Sequence, residues 1–133
     1  MAKRRITIFY NPRCSKCREA MDVLEGSNCE IEIVEYLKEI PTKKELKDLL
    51  AKLGLKPFDL VRTKESIFEK KFRNKKFTDA EWLQIIIENP ILLERPILVD
   101  GYKAIIGRPV ERVIELLNRK KIDTTLNFPL QRK

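Results

Sequence analysis

The sequence predicts an α/β domain of order βαβ, a helical insert, then ββα. Three observations predict it. Near the N-terminus two β-branched runs flank a segment of helical periodicity. Two capping boxes stand in mid-chain. An Asp-Gly step between two short apolar runs then precedes a last amphipathic segment.

"RRITIFY" (Arg4 to Tyr10) is β-branched and aromatic and reads as a strand. "NPR" turns the chain. From Ser15, the residues Cys17, Ala20, Met21 and Leu24 recur at helical spacing, and Gly26 is a natural stop. "CEIEIVEYL" (Cys29 to Leu37) alternates as a second strand, parallel to the first through a right-handed crossover. Thr42 with Glu45 opens a helix to about Leu53, before Gly54. Pro57 starts a turn toward "DLVRTKE", and a helical piece spans roughly Glu65 to Phe72. Thr78 with Glu81 starts a helix through "AEWLQIIIE", which Asn89-Pro90 stops. "RPILVD" (Arg95 to Asp100) is a strand, Asp100-Gly101 a hairpin turn, and "YKAIIG" the returning strand. Gly107-Arg108-Pro109 leads into a final helix, Val110 to about Asn118. Trp82 and the cluster Ile85–Ile87 read as core of the insert.

A chain of 133 residues suits one domain, expected over 1–118 with its insert at about 42–93, followed by a basic tail over 119–133. The net charge is +8. Lys3, Arg4 and Arg5 and the residues after Leu117 hold most of the excess, while Ile6 to Leu117 carry 20 basic and 19 acidic side chains. Charge confined to the ends fits solubility better than a nucleic-acid interface, and "KKFRNKKF" (Lys70 to Phe77) reads as a solvated loop. No apolar run suits a signal peptide or a membrane span, so a cytoplasmic protein without a membrane partner is expected. Three cysteines do not make a secreted disulfide framework.

The chain contains no histidine. That removes the usual general base, the usual zinc partner and any serine–histidine triad. Three cysteines with a single CxxC do not supply four zinc ligands, so no metal is expected. The chemistry is left to thiols, carboxylates, arginines and backbone. Cys14 follows a strand and precedes a helix, close to an N-cap. Free N–H groups and the positive end of the helix dipole stabilise a thiolate there, and the same features bind an oxyanion. Arg13, Lys16 and Arg18 add positive potential. Cys17, one turn on, reads equally as a redox partner or as a small core residue, and Cys29 as a structural thiol. Arg62, Arg95 and Arg108 all stand at junctions between elements, where sites are built, and a guanidinium fork suits tetrahedral oxyanions. Pro96 opens a strand in the manner of a cis-proline.

"YNPRCSKCREA", "VRTKE", "NPILLERPILVD" and "IIGRPVERVIELL" resemble, in order and spacing, the glutaredoxin-linked arsenate reductases of the ArsC family and the related Spx-type regulators. The resemblance runs from about Ile6 to Leu117 and implies a thioredoxin-like fold with a helical insertion. It implies that Cys14 is the nucleophile toward arsenate or a similar oxyanion, that Arg62, Arg95 and Arg108 hold the oxyanion, and that Pro96 is cis. It further implies no bound cofactor, with glutathione and glutaredoxin, or thioredoxin, as electron donor. Two positions depart from the reductase pattern. Tyr10 stands where a histidine often precedes the Asn-Pro, and Cys17 completes a CxxC as in Spx, where the pair is a redox switch and the protein binds RNA polymerase. Under the reductase reading Cys17 is the candidate resolving thiol. The alternative is an Spx-like redox-sensing transcriptional regulator, which Arg108 disfavours. A third reading is a glutathione-dependent reductase of another substrate, since an arginine cage also holds phosphate or sulfate.

Overall fold

A computed structural model describes residues 3–119. Apart from Arg119, the basic tail expected over 119–133 lies outside the described residues. The elements follow the expected order: β1 (Arg5–Phe9), α1 (Ser15–Glu25), β2 (Glu30–Val34), α2 (Lys43–Leu53), α3 (Ser66–Lys71), α4 (Asp79–Glu88), β3 (Ile97–Asp100), β4 (Lys103–Ile106) and α5 (Glu111–Asn118). Short 3₁₀ turns at Pro57–Leu60 and Pro90–Leu92 complete the insert. The fold is α/β and thioredoxin-like. Its sheet runs β2-β1-β3-β4, with β1 parallel to β2 and antiparallel to β3, and β3 antiparallel to β4.

Alternation along the strands divides the interior between the two faces of the sheet. Ile6, Ile8, Leu98 and Ile105 meet Ala20, Met21 and Leu24 of α1 and Val113 and Leu116 of α5. Ile97 and Ala104 on the other face meet the insert, including Leu46, Leu50, Trp82 and Ile86. Trp82 is indeed core. Its ring centre lies 4.9 Å from Phe77 and 5.1 Å from Phe58. The insert's helices start where their letters say. Thr42 Oγ1 accepts the Glu45 N–H at 3.1 Å while Glu45 Oε1 accepts the Thr42 N–H at 2.9 Å, and Thr78 and Glu81 repeat the exchange. Gly54, at φ 70°, closes α2 in the left-handed region.

Two local expectations are corrected. The alternation of "CEIEIVEYL" outlasts the strand: β2 stops at Val34, and Glu35 starts a turn in which its carbonyl accepts the Lys38 and Glu39 N–H groups. The hairpin turn is Gly101-Tyr102, because Asp100 already pairs with Lys103. Only Gly101 of the two has positive φ, at 63°, as a two-residue turn with glycine first requires.

Register gathers the junctions at one end of the sheet. Ile97 pairs with Phe9, so the residues before β3 lie beside the loop that leaves β1. Ile106 pairs with Ile97, and Gly107 N–H reaches Pro96 O at 2.8 Å, so the chain leaving β4 passes the same spot. An isolated bridge, Val61 to Leu93, lashes the Arg62 segment alongside, with Arg62 N–H to Leu92 O at 2.7 Å and Glu94 N–H to Leu60 O at 2.7 Å. The Arg95–Pro96 bond is cis, as is Arg108–Pro109.

Gly107 is set in a close approach. A Cβ there would stand 2.9 Å from Leu98 Cδ1, 3.0 Å from Val113 Cγ2 and 3.1 Å from Pro96 Cγ. Gly107→Ala is therefore expected to cost roughly 1–3 kcal/mol, as overpacking does. Thermal denaturation measures it; an unchanged midpoint would show that this corner yields freely.

Candidate active site

Cys14 is the N-cap of α1, in extended backbone at φ −91°, ψ 119°. Its N–H bonds to Asn11 O at 2.9 Å and its carbonyl takes the Arg18 N–H at 3.1 Å, so the loop is fixed on both sides. Asn11 is itself buried, and its Oδ1 accepts the Arg13 N–H at 3.0 Å. The Cys14 side chain makes no ordinary capping bond. Its sulfur instead lies under the influence of several N–H groups. Burial works against ionisation, but the Cys17 N–H, the Cys17 thiol, the Arg95 guanidinium and the Lys16 N–H outweigh it and hold the Cys14 pKa below its ordinary value. Cys17 goes the other way. Burial, then the neighbouring charge of Cys14, push its thiol up to about 12, although the Asn11 N–H favours the thiolate. The pair is thus polarised: negative charge belongs on Cys14 and the proton on Cys17. All three cysteines are free thiols. Cys29 stands apart, with Ser27 Oγ at 3.2 Å and Leu24 O at 3.6 Å.

The arginines come together unequally. Arg108 Nη2 donates to Cys14 Sγ at 3.6 Å while its Nε donates to Arg95 O at 2.7 Å. One guanidinium therefore ties the thiol to the residue before the cis-proline. Arg95 is 8 % exposed. Its Nη1 donates to Ile91 O at 3.0 Å and its Nη2 to Glu65 Oε2 at 3.4 Å; its side chain also favours the Cys14 thiolate, and Arg108 Nη2 makes the 3.6 Å contact with the sulfur. Burial opposes the charge of Arg95, but Tyr36, Cys14 and Glu65 prevail and raise its pKa. Arg62 joins one step further out. Its Nε donates to Glu65 Oε2 at 3.1 Å and its Nη1 to Glu94 Oε1 at 3.3 Å. A continuous line of charge runs Arg62, Glu65, Arg95, Cys14, Arg108.

Sequence reasoning placed the thiol and the three arginines but missed Glu65, Asn11 and Tyr36. Glu65 reads as a helix start, and only its i−3 spacing from Arg62 hints at an ion pair. The loop cations act differently from expectation. The Lys16 ammonium pairs with Glu19 at 3.7 Å and Arg18 Nη1 caps Pro12 O at 2.9 Å, so Lys16 serves Cys14 through its backbone N–H.

A cavity of ≈ 460 Å³ lies elsewhere, between β2 and α2, lined by Ile33, Ile40 and Pro41 with Glu32, Glu45 and Asp48. Its carboxylates repel an oxyanion, and neither the cysteines nor Arg62, Arg95 and Arg108 line it. Among the described residues no group of three or more histidine, cysteine or carboxylate side chains is placed to hold a metal ion, and no helix is long and apolar enough to cross a membrane.

Fold and site define a class: a thioredoxin-like protein with a helix-capping cysteine set against arginines from the far half of the chain. The ArsC family model matches residues 9–116, and the chain belongs to the ArsC family. It is 40% identical over 114 residues to the arsenate reductase of Neisseria meningitidis, covering 84% of this chain and 97% of that protein. It is 38% identical over 116 residues to the uncharacterized protein YfgD of Escherichia coli, covering 86% and 98%. Among solved structures, the arsenate reductase from Vibrio cholerae superposes with a TM-score of 0.80 at 34% identity, covering 85% of this chain and 98% of that one.

Proposed function

We propose that this chain reduces arsenate, or an oxyanion of like charge and shape, by thiol chemistry at Cys14. The observation that carries the reading is the 3.6 Å approach of Arg108 Nη2 to Cys14 Sγ at the N-terminus of α1. A thiolate attacking a dianion is repelled, and cations fixed around both reactants remove that repulsion as the bond forms. Cys14 attacks the central atom and an oxygen departs as water. Arg108 and Arg95 neutralise the remaining oxygens, and Arg62 contributes through the pair it shares on Glu65. Two electrons reach the centre when two thiols become one disulfide. The second thiol is glutathione, with glutaredoxin or thioredoxin restoring Cys14, or it is Cys17. Residues 1–118 act as one unit, with the insert over about 42–93 supplying Arg62. A cytoplasmic location supplies such reductants.

The test is steady-state turnover of arsenate by reduced protein with glutathione and glutaredoxin, or with thioredoxin. Turnover with any of these donors supports the reading, and its absence with all of them overturns it. Cys17→Ser is expected to keep at least part of the turnover when glutathione is supplied, because an external thiol then does the resolving. The polarised Cys14–Cys17 pair favours a second reading, a redox-switch regulator that binds RNA polymerase. A pull-down with the carboxyl-terminal domain of the polymerase α polypeptide separates the two.

A further inference from the structure

The cations assigned to the oxyanion already hold an anion. A single oxygen, Glu65 Oε2, accepts Arg62 Nε at 3.1 Å and Arg95 Nη2 at 3.4 Å. Local structure does not account for where that carboxylate lies. Glu65 is the N-cap of α3, yet its side chain makes no cap bond. A capping side chain ordinarily serves the first N–H groups of its helix; this one is given to the arginines instead. The backbone of Glu65 is fixed, its N–H to Arg62 O at 3.2 Å and its carbonyl to the Phe68 N–H at 3.0 Å. Its side chain is 23% exposed, so water is within reach of the carboxylate. Arg95 is held more firmly, buried and tied through Nη1 to Ile91 O at 3.0 Å. Of the charged groups joined here, the carboxylate is the one placed to give way.

We infer that Glu65 is a stand-in anion that sets the specificity of the site: its carboxylate occupies Arg62 Nε and Arg95 Nη2 until a tetrahedral dianion displaces it toward solvent. The inference rests on the reading of Arg62, Arg95 and Arg108 as an oxyanion site. A buried guanidinium needs a counter-charge, and one oxygen shared by two guanidiniums supplies it with the sign and reach of an oxyanion oxygen. With Glu94 Oε1 on Arg62 Nη1 at 3.3 Å, two carboxylates and the Cys14 thiolate stand against three guanidiniums. A dianion therefore meets no surplus of positive charge while Glu65 stays in place. The exchange favours an anion with more charge and more acceptor oxygens than the carboxylate it replaces. Arsenate and sulfate gain by it, and a small monoanion gains little. As the side chains stand, Arg62 reaches the site through Glu65; after the exchange it bonds the dianion directly.

The test is calorimetric titration of the reduced protein with sulfate, a tetrahedral dianion that serves as the probe. Glu65→Gln keeps the shape of the side chain, removes its charge and has no cap bond to lose. It is expected to tighten sulfate binding by about tenfold or more, the scale of a hydrogen bond to a charged group. General damage to the site weakens binding, so a tighter complex is a result that a merely structural role does not give. Glu94→Gln is the control. It removes a charge from the same arginine but leaves Arg95 Nη2 on Glu65, and it is expected to change the affinity less. Unchanged or weaker sulfate binding in Glu65→Gln overturns the inference, because the carboxylate then holds the arginines in place or does nothing. Equal tightening in both variants also overturns it, because net charge alone then accounts for the effect. Sulfate binding absent from both the parent protein and Glu65→Gln instead overturns the oxyanion site itself.

Discussion

Cys14→Ser is expected to abolish thiol-dependent arsenate turnover, by a factor of at least about 10⁴, the scale on which removals of a nucleophile fall. A serine hydroxyl at the N-cap suits the helix well, so the fold survives. What is lost is an anionic sulfur that the Cys17 N–H, the Cys17 thiol and Arg95 stabilise against the cost of burial. Oxyanion binding, measured by calorimetry with arsenate or sulfate, should persist because the arginines remain. Stability should respond with a definite sign. The folded pKa of Cys14 lies below its unfolded value, so its thiolate stabilises the fold above the unfolded thiol pKa, and that stabilisation is lost as pH falls through the folded pKa. Cys14→Ser should therefore change denaturation least at acidic pH and lower stability most in the alkaline range. Residual turnover in Cys14→Ser comparable to the parent protein would move the chemistry to another residue.

The second large effect is expected at Arg108. Its guanidinium makes two bonds at once, Nε to Arg95 O at 2.7 Å and Nη2 to Cys14 Sγ at 3.6 Å. Arg108→Ala removes the direct donor at the thiol and is expected to lower kcat/KM by about 10²–10³, the scale for one donor at a site of developing charge. Arg108→Lys should recover only part of this, since an ammonium has no planar fork to span both acceptors. Steady-state kinetics of the two variants check it. An Arg108→Ala protein with unaltered kcat/KM would mean that this arginine holds the loop and nothing more.

Much of this arrangement is legible in the letters, and the illegible part has physical reasons. Capping boxes are local, so Thr42–Glu45 and Thr78–Glu81 announce their helices without help from the fold. Cys14 is legible for the same reason: the switch from β-branched to helical periodicity marks an N-cap. Arg95 and Arg108 stand out because each adjoins a proline at a junction, although only the register of β3 with β1 and β4 brings them to one spot. Glu94, the second acid on Arg62, is 32 residues away in sequence and reads as any solvated glutamate. Tyr36 hides because the alternation of β2 continues beyond its last ladder bond. Its bearing on the charge of Arg95 comes from the tertiary fold, and periodicity carries no information about that.

The central claim is that one thiolate and guanidinium groups from distant parts of the chain form a single oxyanion site. The rate of Cys14 alkylation against pH, followed by peptide mapping with and without sulfate, tests it most directly. The expected result is a pKa below the ordinary thiol range that rises, with slower alkylation, when sulfate occupies the arginines beside the sulfur. An ordinary thiol pKa that sulfate leaves unchanged would contradict the claim.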